Sequence, residues 1–310
     1  MISFRQCACY RHRNNAIGKV LANTRAILLM TAAMGCFAAS DAFINRVSAT
    51  LPTSQILAVT SALSFLIFYM FMLRTGERLF RREALEKAVI IRTAGEVFGS
   101  LGYVMALTLI PLATASAMLQ AQPLAVTLAA VFFLGERVGA RRWAAVAVGF
   151  VGVLIIIRPG ATGFDPNVLW TLLGIIGLTA RDLGTRMLNK GISTPFVSAW
   201  ALLMLGLLGV AITPMGGAWQ AIDLTNAGWL LGISLAVALA FFFINNALRV
   251  GEVSAIAPFR YTRMVFALFI AILFLGERPE LLTWIGTALI VGSGIYAFLR
   301  ERRAQQAQEA

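Results

Sequence analysis

Charge is scarce in this chain. Of its 310 residues only 13% are Asp, Glu, Lys or Arg, against about 25% in an ordinary soluble domain. Histidine occurs once and cysteine three times. Cys7, Cys9 and Cys36 are odd in number and match no zinc-ligand spacing, so neither a disulfide framework nor a structural zinc site is expected. The single His12 sits in the basic N-terminal segment, away from every embedded carboxylate in sequence, which argues against a His-centred catalytic set. A GxxxxGK[ST] phosphate loop is also missing, so ATP is not expected as a direct energy source. None of these patterns calls for a cofactor or a metal.

What the chain has in quantity is apolar surface. Hydrophobic residues make up 59% and the mean hydropathy is +0.80. A membrane-crossing helix needs roughly 20 apolar residues. Ten runs approach that length, at 26–45, 54–73, 88–110, 112–134, 143–158, 168–188, 196–214, 228–248, 253–275 and 282–299. No gap between them is large enough for a soluble domain. The expected fold is an all-α integral membrane protein with ten transmembrane helices. The first run continues past Asp41 to Val47, which is long for the core of a cleaved leader and reads as an uncleaved first helix.

The formal net charge of +12 follows from topology. Positive residues gather in the N-terminal segment (Arg5, Arg11, Arg13, Lys19, Arg25), in the second-to-third connection (Arg74, Arg78, Arg81, Arg82, Lys87) and in the fourth-to-fifth (Arg137, Arg141, Arg142). Lys190, Arg249 and the group Arg300, Arg302, Arg303 fall on the same side. Only Arg46, Arg158 and Arg278 fall on the other. The positive-inside rule places both termini in the cytoplasm. Nucleic acid is not needed to account for the charge. The expected partners are the lipid bilayer and a small-molecule substrate, with a homodimer permitted.

One sentence is written twice. "GERVGARRW" runs from Gly135 to Trp143 and "GERPELLTW" from Gly276 to Trp284, with the two glycines 141 residues apart. The same offset aligns Asp41 with Asp182, Ala39 with Ala180, Gly76 with Gly217, and Ala106-Leu107 with Ala247-Leu248. An unbroken offset of this kind indicates internal duplication. The chain divides into a basic tail (1–25), a first five-helix repeat (26–158), a second (167–300) and a short tail (301–310). Five crossings is an odd number, so the second copy enters the membrane inverted. That accounts for the arginines: Arg141 and Arg142 lie on the cytoplasmic side, and their counterparts on the far side are Leu282 and Thr283. Inverted repeats of this kind build secondary transporters, with substrate held near the midplane between halves.

Two five-helix halves, with "FFLGER" (Phe132 to Arg137) and "LFLGER" (Leu273 to Arg278) each leading into a Trp-headed helix, resemble the EamA branch of the drug/metabolite transporter superfamily over about residues 26–300. "IIIRPGATGF" (Ile155 to Phe164), "ARDLGTRML" (Ala180 to Leu188) and "IAPFRYT" (Ile256 to Thr262) resemble the bacterial branch that includes riboflavin importers and S-adenosylmethionine carriers. The resemblance implies a non-enzymatic carrier of the bacterial inner membrane, most directly for riboflavin import. Export or exchange of amino acids, S-adenosylmethionine or related metabolites is the alternative. It also implies that helices 1–4 and 6–9 surround the path while 5 and 10 support it. A membrane-embedded lipid enzyme would need a nucleophile, base or metal set that is not evident, and a lipid-linked sugar flippase would differ only in cargo.

Ionisable groups inside membrane helices mark function by default, because burying them is costly. Here they are Asp41, Arg92, Glu96, Arg181, Asp182, Arg186, Arg260 and Arg263. The repeat mates Asp41 and Asp182 are read as gates or substrate contacts. The bland reading is a local pair, Asp41 with Arg46 and Asp182 with Arg186. Arg92 and Glu96 share a helix face at i,i+4, which suits a structural ion pair. Arg186 can snorkel to the interface, whereas Arg181 is deeper. In the ninth run Arg260 and Arg263 flank Tyr261 after Pro258, and their mates in the fourth run include Gln120 and Gln122. Together with Asn245 and Asn246 these groups could hydrogen-bond and stack on a heteroaromatic ring or hold a carboxylate. The alternative is interhelical hydrogen bonding. Gly95, Gly99, Gly149 and Gly152 are read as close-packing positions.

Overall fold

The computed structural model describes residues 4–309 except 75, 136–138, 160–163, 190, 217 and 251–255. Within helices, the side chains of 4–22, 134, 141–142, 215–216, 245, 248–249, 257 and 301–309 also lie outside the description. The described residues are helical and contain no strand. The helices are α1 (Phe4–Val47), α2 (Thr53–Arg74), α3 (Lys87–Leu109), α4 (Leu112–Leu119), α5 (Gln122–Leu134), α6 (Ala140–Ile157), α7 (Val168–Arg186), α8 (Thr194–Ala211), the single turn α9 (Thr213–Gly216), α10 (Leu224–Val250), α11 (Thr262–Leu273) and α12 (Leu281–Glu309). Long apolar runs become helices because only intrasegment bonding satisfies the backbone in lipid.

Among the described residues, eight helices are long and apolar enough to cross a membrane, and Trp143–Ile157 is a shorter apolar helix. The first expected run, 26–45, is the far part of α1, which continues back through the basic segment. Two further runs are not single helices. The run 112–134 breaks at Gln120 and Ala121 into α4 and α5. The run 253–275 begins outside the described residues and passes through a 3-10 segment, Ala257–Tyr261, into α11. Proline explains both breaks. Pro123 has no N–H for the carbonyl four residues back and its ring crowds that carbonyl. The chain instead tightens, with Gln120 N bonding Ala117 O at 3.2 Å and Ala121 N bonding Met118 O at 3.0 Å. Pro258 does the same at the start of the 3-10 segment.

The two GER glycines share one job. Gly135 and Gly276 both sit at φ +68°, left-handed backbone in which a Cβ is strained. Gly135 ends α5, and Gly276 follows the end of α11.

Packing follows the 141-residue offset. The offset relates α1 to α7, and α3 to α10. In the bundle α3 lies along α7, and α1 lies along α10. Mates α2 and α8 pack on each other, as do α6 and α12. The α3–α7 crossing is the tightest. A Cβ at Gly99 would stand 2.6 Å from Leu178 N, and one at Gly177 would stand 2.3 Å from Gly99 N. Only glycine lets the two backbones meet at that separation. Gly152 is similarly pressed on Gly286 O of α12, and Gly149 on Leu124 and Ser293.

The connections gather at two ends. At one, Gln55 donates to Gln220 O (2.8 Å) and accepts from Gln220 N (2.9 Å), and Thr50 bonds Asn226. There too Arg158 pairs with Glu280, and the Glu277 carboxylate accepts from Leu112 N (2.7 Å) and Ala113 N (3.0 Å) at the start of α4. At the other end Asn189 bonds Glu86 (2.7 Å), Ser193 bonds Glu77, and Arg81 lies over the Phe196 ring. These are called below the Gln55 end and the Glu77 end.

Candidate functional site

Two polar clusters lie inside the helix bundle, one toward each end. The first is built on Asp41, two turns before α1 finishes at the Gln55 end. Arg263, in the first turn of α11, reaches both carboxylate oxygens with Nη2 at 2.8 Å and adds an Nε bond at 3.1 Å. Tyr103 of α3 donates its hydroxyl to Asp41 Oδ2 at 3.0 Å and meets Ser116 Oγ of α4 at 3.4 Å. The Arg263 guanidinium also lies over the rings of Phe37 and Tyr103, 5.1 and 5.3 Å from their centroids. Three helices therefore meet at one carboxylate, and α4 joins the cluster through the Tyr103 hydroxyl. A bidentate, stacked arginine is the geometry in which a buried ion pair offsets its desolvation best.

The second cluster is built on Asp182, near the Glu77 end of α7. Arg181 donates to Asp182 Oδ1 at 2.8 Å, and its Nη1 reaches Glu96 Oε1 of α3 at 3.4 Å. Gln122 at the start of α5 donates to Asp182 Oδ2 at 3.0 Å. Arg92 anchors the back of the group: it is 4.0 Å from Glu96, and bonds Val197 O at 3.0 Å and Ser198 Oγ at 3.4 Å on α8.

The offset joins these clusters. Asp41 and Asp182 are mates, and so are Arg263 and Gln122. Each half thus supplies one carboxylate from its first helix, and the opposite half answers it from the first turn after a helix break. In one case the answer is a cation, in the other an amide. The clusters differ in access. The Asp41 side chain is 4% exposed, that of Asp182 25%, so the Asp182 carboxylate is the more exposed of the two.

Several expected residues fall elsewhere. Asp41 takes Arg263 as its ion-pair partner, 222 positions away, where the local reading offered Arg46. Asp182 pairs with its neighbour Arg181. Gln120 is buried and donates to the Tyr261 carbonyl at 3.2 Å. Tyr261 turns its ring away from both clusters onto α12, where a Cβ at Gly294 would lie 1.9 Å from its hydroxyl oxygen. Asn246 bonds its own helix at Phe242 O. The Asn245 side chain lies outside the described residues. Arg260 is exposed and has no hydrogen bond or ion pair among the described residues. Tyr103, Ser116 and Phe37 were not singled out by sequence. None has a mate of like chemistry (Ile244, Ala257, Leu178), so the repeat gave no signal for them.

Among the described residues no three His, Cys, Asp or Glu side chains are grouped to hold a metal. The arrangement is one of paired charges along the interior of an apolar multi-helix protein.

This is the class defined by fold and site: a polytopic membrane protein with charged groups placed along its interior. The sequence profile of the EamA-like transporter family matches it twice, over residues 24–158 and 166–299. The chain belongs to that family. It is 29% identical to a riboflavin transporter of Rhizobium johnstonii over 70% of this chain and 72% of that protein. It is 26% identical to an S-adenosylmethionine uptake transporter of Rickettsia conorii, over 67% and 70% respectively. The pseudopaline exporter CntI of Pseudomonas aeruginosa is 27% identical over 86% of this chain and 93% of its own length. A solved crystal structure superposes with a TM-score of 0.60, covering 93% of this chain and 99% of the other at 20% identity, a likeness of fold.

Proposed function

We propose that this chain is a secondary carrier of the bacterial inner membrane, moving a small organic metabolite by alternating access. It would do so with ten crossings arranged as two inverted five-helix halves and both termini cytoplasmic. One observation carries the reading: Asp41 with Arg263 and Asp182 with Gln122 are offset-related contacts at opposite ends of the bundle. A carrier needs a barrier on each side of its site that can open alternately. Two mate clusters of unequal exposure are the physical form such barriers take. The Glu77 end, read as cytoplasmic from the positive residues near it, is then the open one. Riboflavin, taken inward, is the first cargo to test on the resemblance, and S-adenosylmethionine the second.

The test is uptake of radiolabelled riboflavin by a flavin-auxotrophic, importer-deficient bacterium expressing this chain, with S-adenosylmethionine and amino acids as unlabelled competitors. Saturable uptake that falls in Gln122→Ala supports a path through the Asp182 cluster. No uptake or competitor effect from a chain shown to be inserted removes riboflavin and moves the assay to export of amino acids and related metabolites.

A further inference from the structure

The connection between α2 and α3 has two faces. One clasps the second half of the chain. Ser193 donates to Glu77, Asn189 donates to Glu86 at 2.7 Å, and Arg81 lies over the Phe196 ring. Leu79 and Ala84 join Phe196 in a buried apolar cluster. The residues between these turn the other way: Arg78, Phe80, Arg82, Leu85 and Lys87 are all exposed. Phe80 is 78% exposed, although its ring meets Trp200 edge-on at 5.9 Å, and Leu85 is 76% exposed. Arg78, Arg82 and Lys87 form no ion pair among the described residues. Of the three acids on the segment, Glu77 and Glu86 are engaged on the inner face, and Glu83 is half-buried. The outer face therefore alternates cation with large apolar side chain.

Both flanking helices are long and apolar enough to cross a membrane, so this face meets the boundary of the bilayer. Apolar side chains set among cations suit one environment there, acyl chains beside anionic headgroups. The repeat supplies a comparison. At the 141-residue offset Arg78, Arg82 and Lys87 correspond to Trp219, Asp223 and Gly228. That connection, at the Gln55 end, also exposes apolar groups, Trp219 at 44% and Leu224 at 92%, but has no Lys or Arg from 212 to 228. Apolar contact with lipid is common to both ends, whereas the cations belong to one.

We propose that the outer face of residues 78–87 is a docking surface for anionic phospholipid headgroups, with Phe80 and Leu85 seated among the acyl chains beside them. The same segment holds α8 with its inner face, so bound lipid steadies the clasp between the halves at the Glu77 end. Neither the identity of a cargo nor transport itself enters this assignment.

The full chain, with Cys7, Cys9 and Cys36 replaced by Ser, receives one new cysteine for the environment-sensitive fluorophore NBD. It is placed by Leu85→Cys or, as the reference at the Gln55 end, by Leu224→Cys. Each protein is set in phosphatidylcholine nanodiscs containing increasing fractions of phosphatidylglycerol, and emission and quenching by neutral acrylamide are read. At position 85 phosphatidylglycerol is expected to move emission to the blue and to lower quenching; at 224 it is expected to change neither. Each cation beside an anionic surface is worth about fivefold in binding. Arg78→Gln with Arg82→Gln is therefore expected to need about 25-fold more phosphatidylglycerol for the same response. Arg78→Lys with Arg82→Lys is expected to respond like the parent, because the attraction is to charge. Both pairs alter exposed side chains, and melting temperatures beside the parent's check the fold. A signal at 85 that ignores phosphatidylglycerol, or a response kept in full by the Gln pair, overturns the proposal. So does an equal response to soluble glycerol phosphate in phosphatidylcholine nanodiscs, which would make the surface a site for free phosphate esters.

Discussion

The Gln120 side-chain amide donates to the backbone carbonyl of Tyr261 at 3.2 Å, and the two residues stand 141 positions apart, the offset of the repeat. Each sits where its membrane segment breaks, Gln120 between α4 and α5 and Tyr261 just ahead of α11. The two breaks are therefore fastened to one another. The first residues of regular helix beyond them, Gln122 and Thr262-Arg263, carry the side chains that answer Asp182 and Asp41.

Gln120 and Gln122 should behave differently. Gln120→Ala leaves a buried carbonyl without its partner and should lower stability by about 1 kcal/mol. Gln122→Ala touches the more exposed cluster and should change apparent substrate affinity with little effect on stability. Thermal unfolding in detergent beside uptake kinetics separates the two. Equal melting temperatures would remove the structural assignment of Gln120.

Asp41 and Arg263 form a buried pair that each single substitution leaves half-made. Asp41→Asn or Arg263→Gln alone should destabilise by about 3–5 kcal/mol, because one charge stays buried and unpaired. The double variant should be more stable than either single one. A double variant whose loss equals the sum of the singles would show that the two groups are independent.

The α3–α7 crossing depends on missing side chains. Gly177→Ala brings a Cβ within 2.3 Å of the Gly99 backbone and should cost about 1–3 kcal/mol as overpacking. Gly292→Ala meets nothing within 4 Å and should be neutral, or stabilising by up to about 1 kcal/mol through helix propensity. Melting temperatures of the two variants, measured side by side, should fall on opposite sides of the parent or nearly so.

Glu277 explains the acidic letter of the second GER motif. Its carboxylate caps the first two free N–H groups of α4, on the opposite half of the chain, where negative charge is also favoured by the helix dipole. Glu277→Gln keeps the shape and loses the charge. It should reduce stability by about 0.5–2 kcal/mol, the range of a helix cap. An unchanged melting temperature would dismiss the cap as incidental.

Much of this was legible in the sequence, for identifiable reasons. Apolar runs near bilayer length can only be helices in lipid, so helix positions came through. The repeat was readable because Gly135 and Gly276 need the same left-handed backbone and kept the same neighbours. Pro258 stood out ahead of the Arg260–Arg263 stretch, but the break at Pro123 was not read, because the run 112–134 looked continuous. Partner choice was not legible. Asp41 had a cation five residues away in Arg46, and nothing in one dimension shows that α11 brings Arg263 closer from 222 positions off. Glu96 and Arg181, 85 positions apart, meet only because glycines let α3 and α7 touch. Tyr261 read as a stacking ring and is a packing ring, because Gly294 opens a place for it on α12.

The measurement that bears most directly on the carrier account is counterflow in proteoliposomes. Purified protein is reconstituted, loaded with unlabelled riboflavin or S-adenosylmethionine, and exposed to a trace of the same compound labelled outside. Alternating access predicts transient accumulation of label for the true cargo, lost in Asp182→Asn while that variant remains folded and inserted. Accumulation at the parental rate in Asp182→Asn would contradict the gate assignment, and label that enters linearly, without saturation or dependence on internal cargo, would contradict the carrier itself.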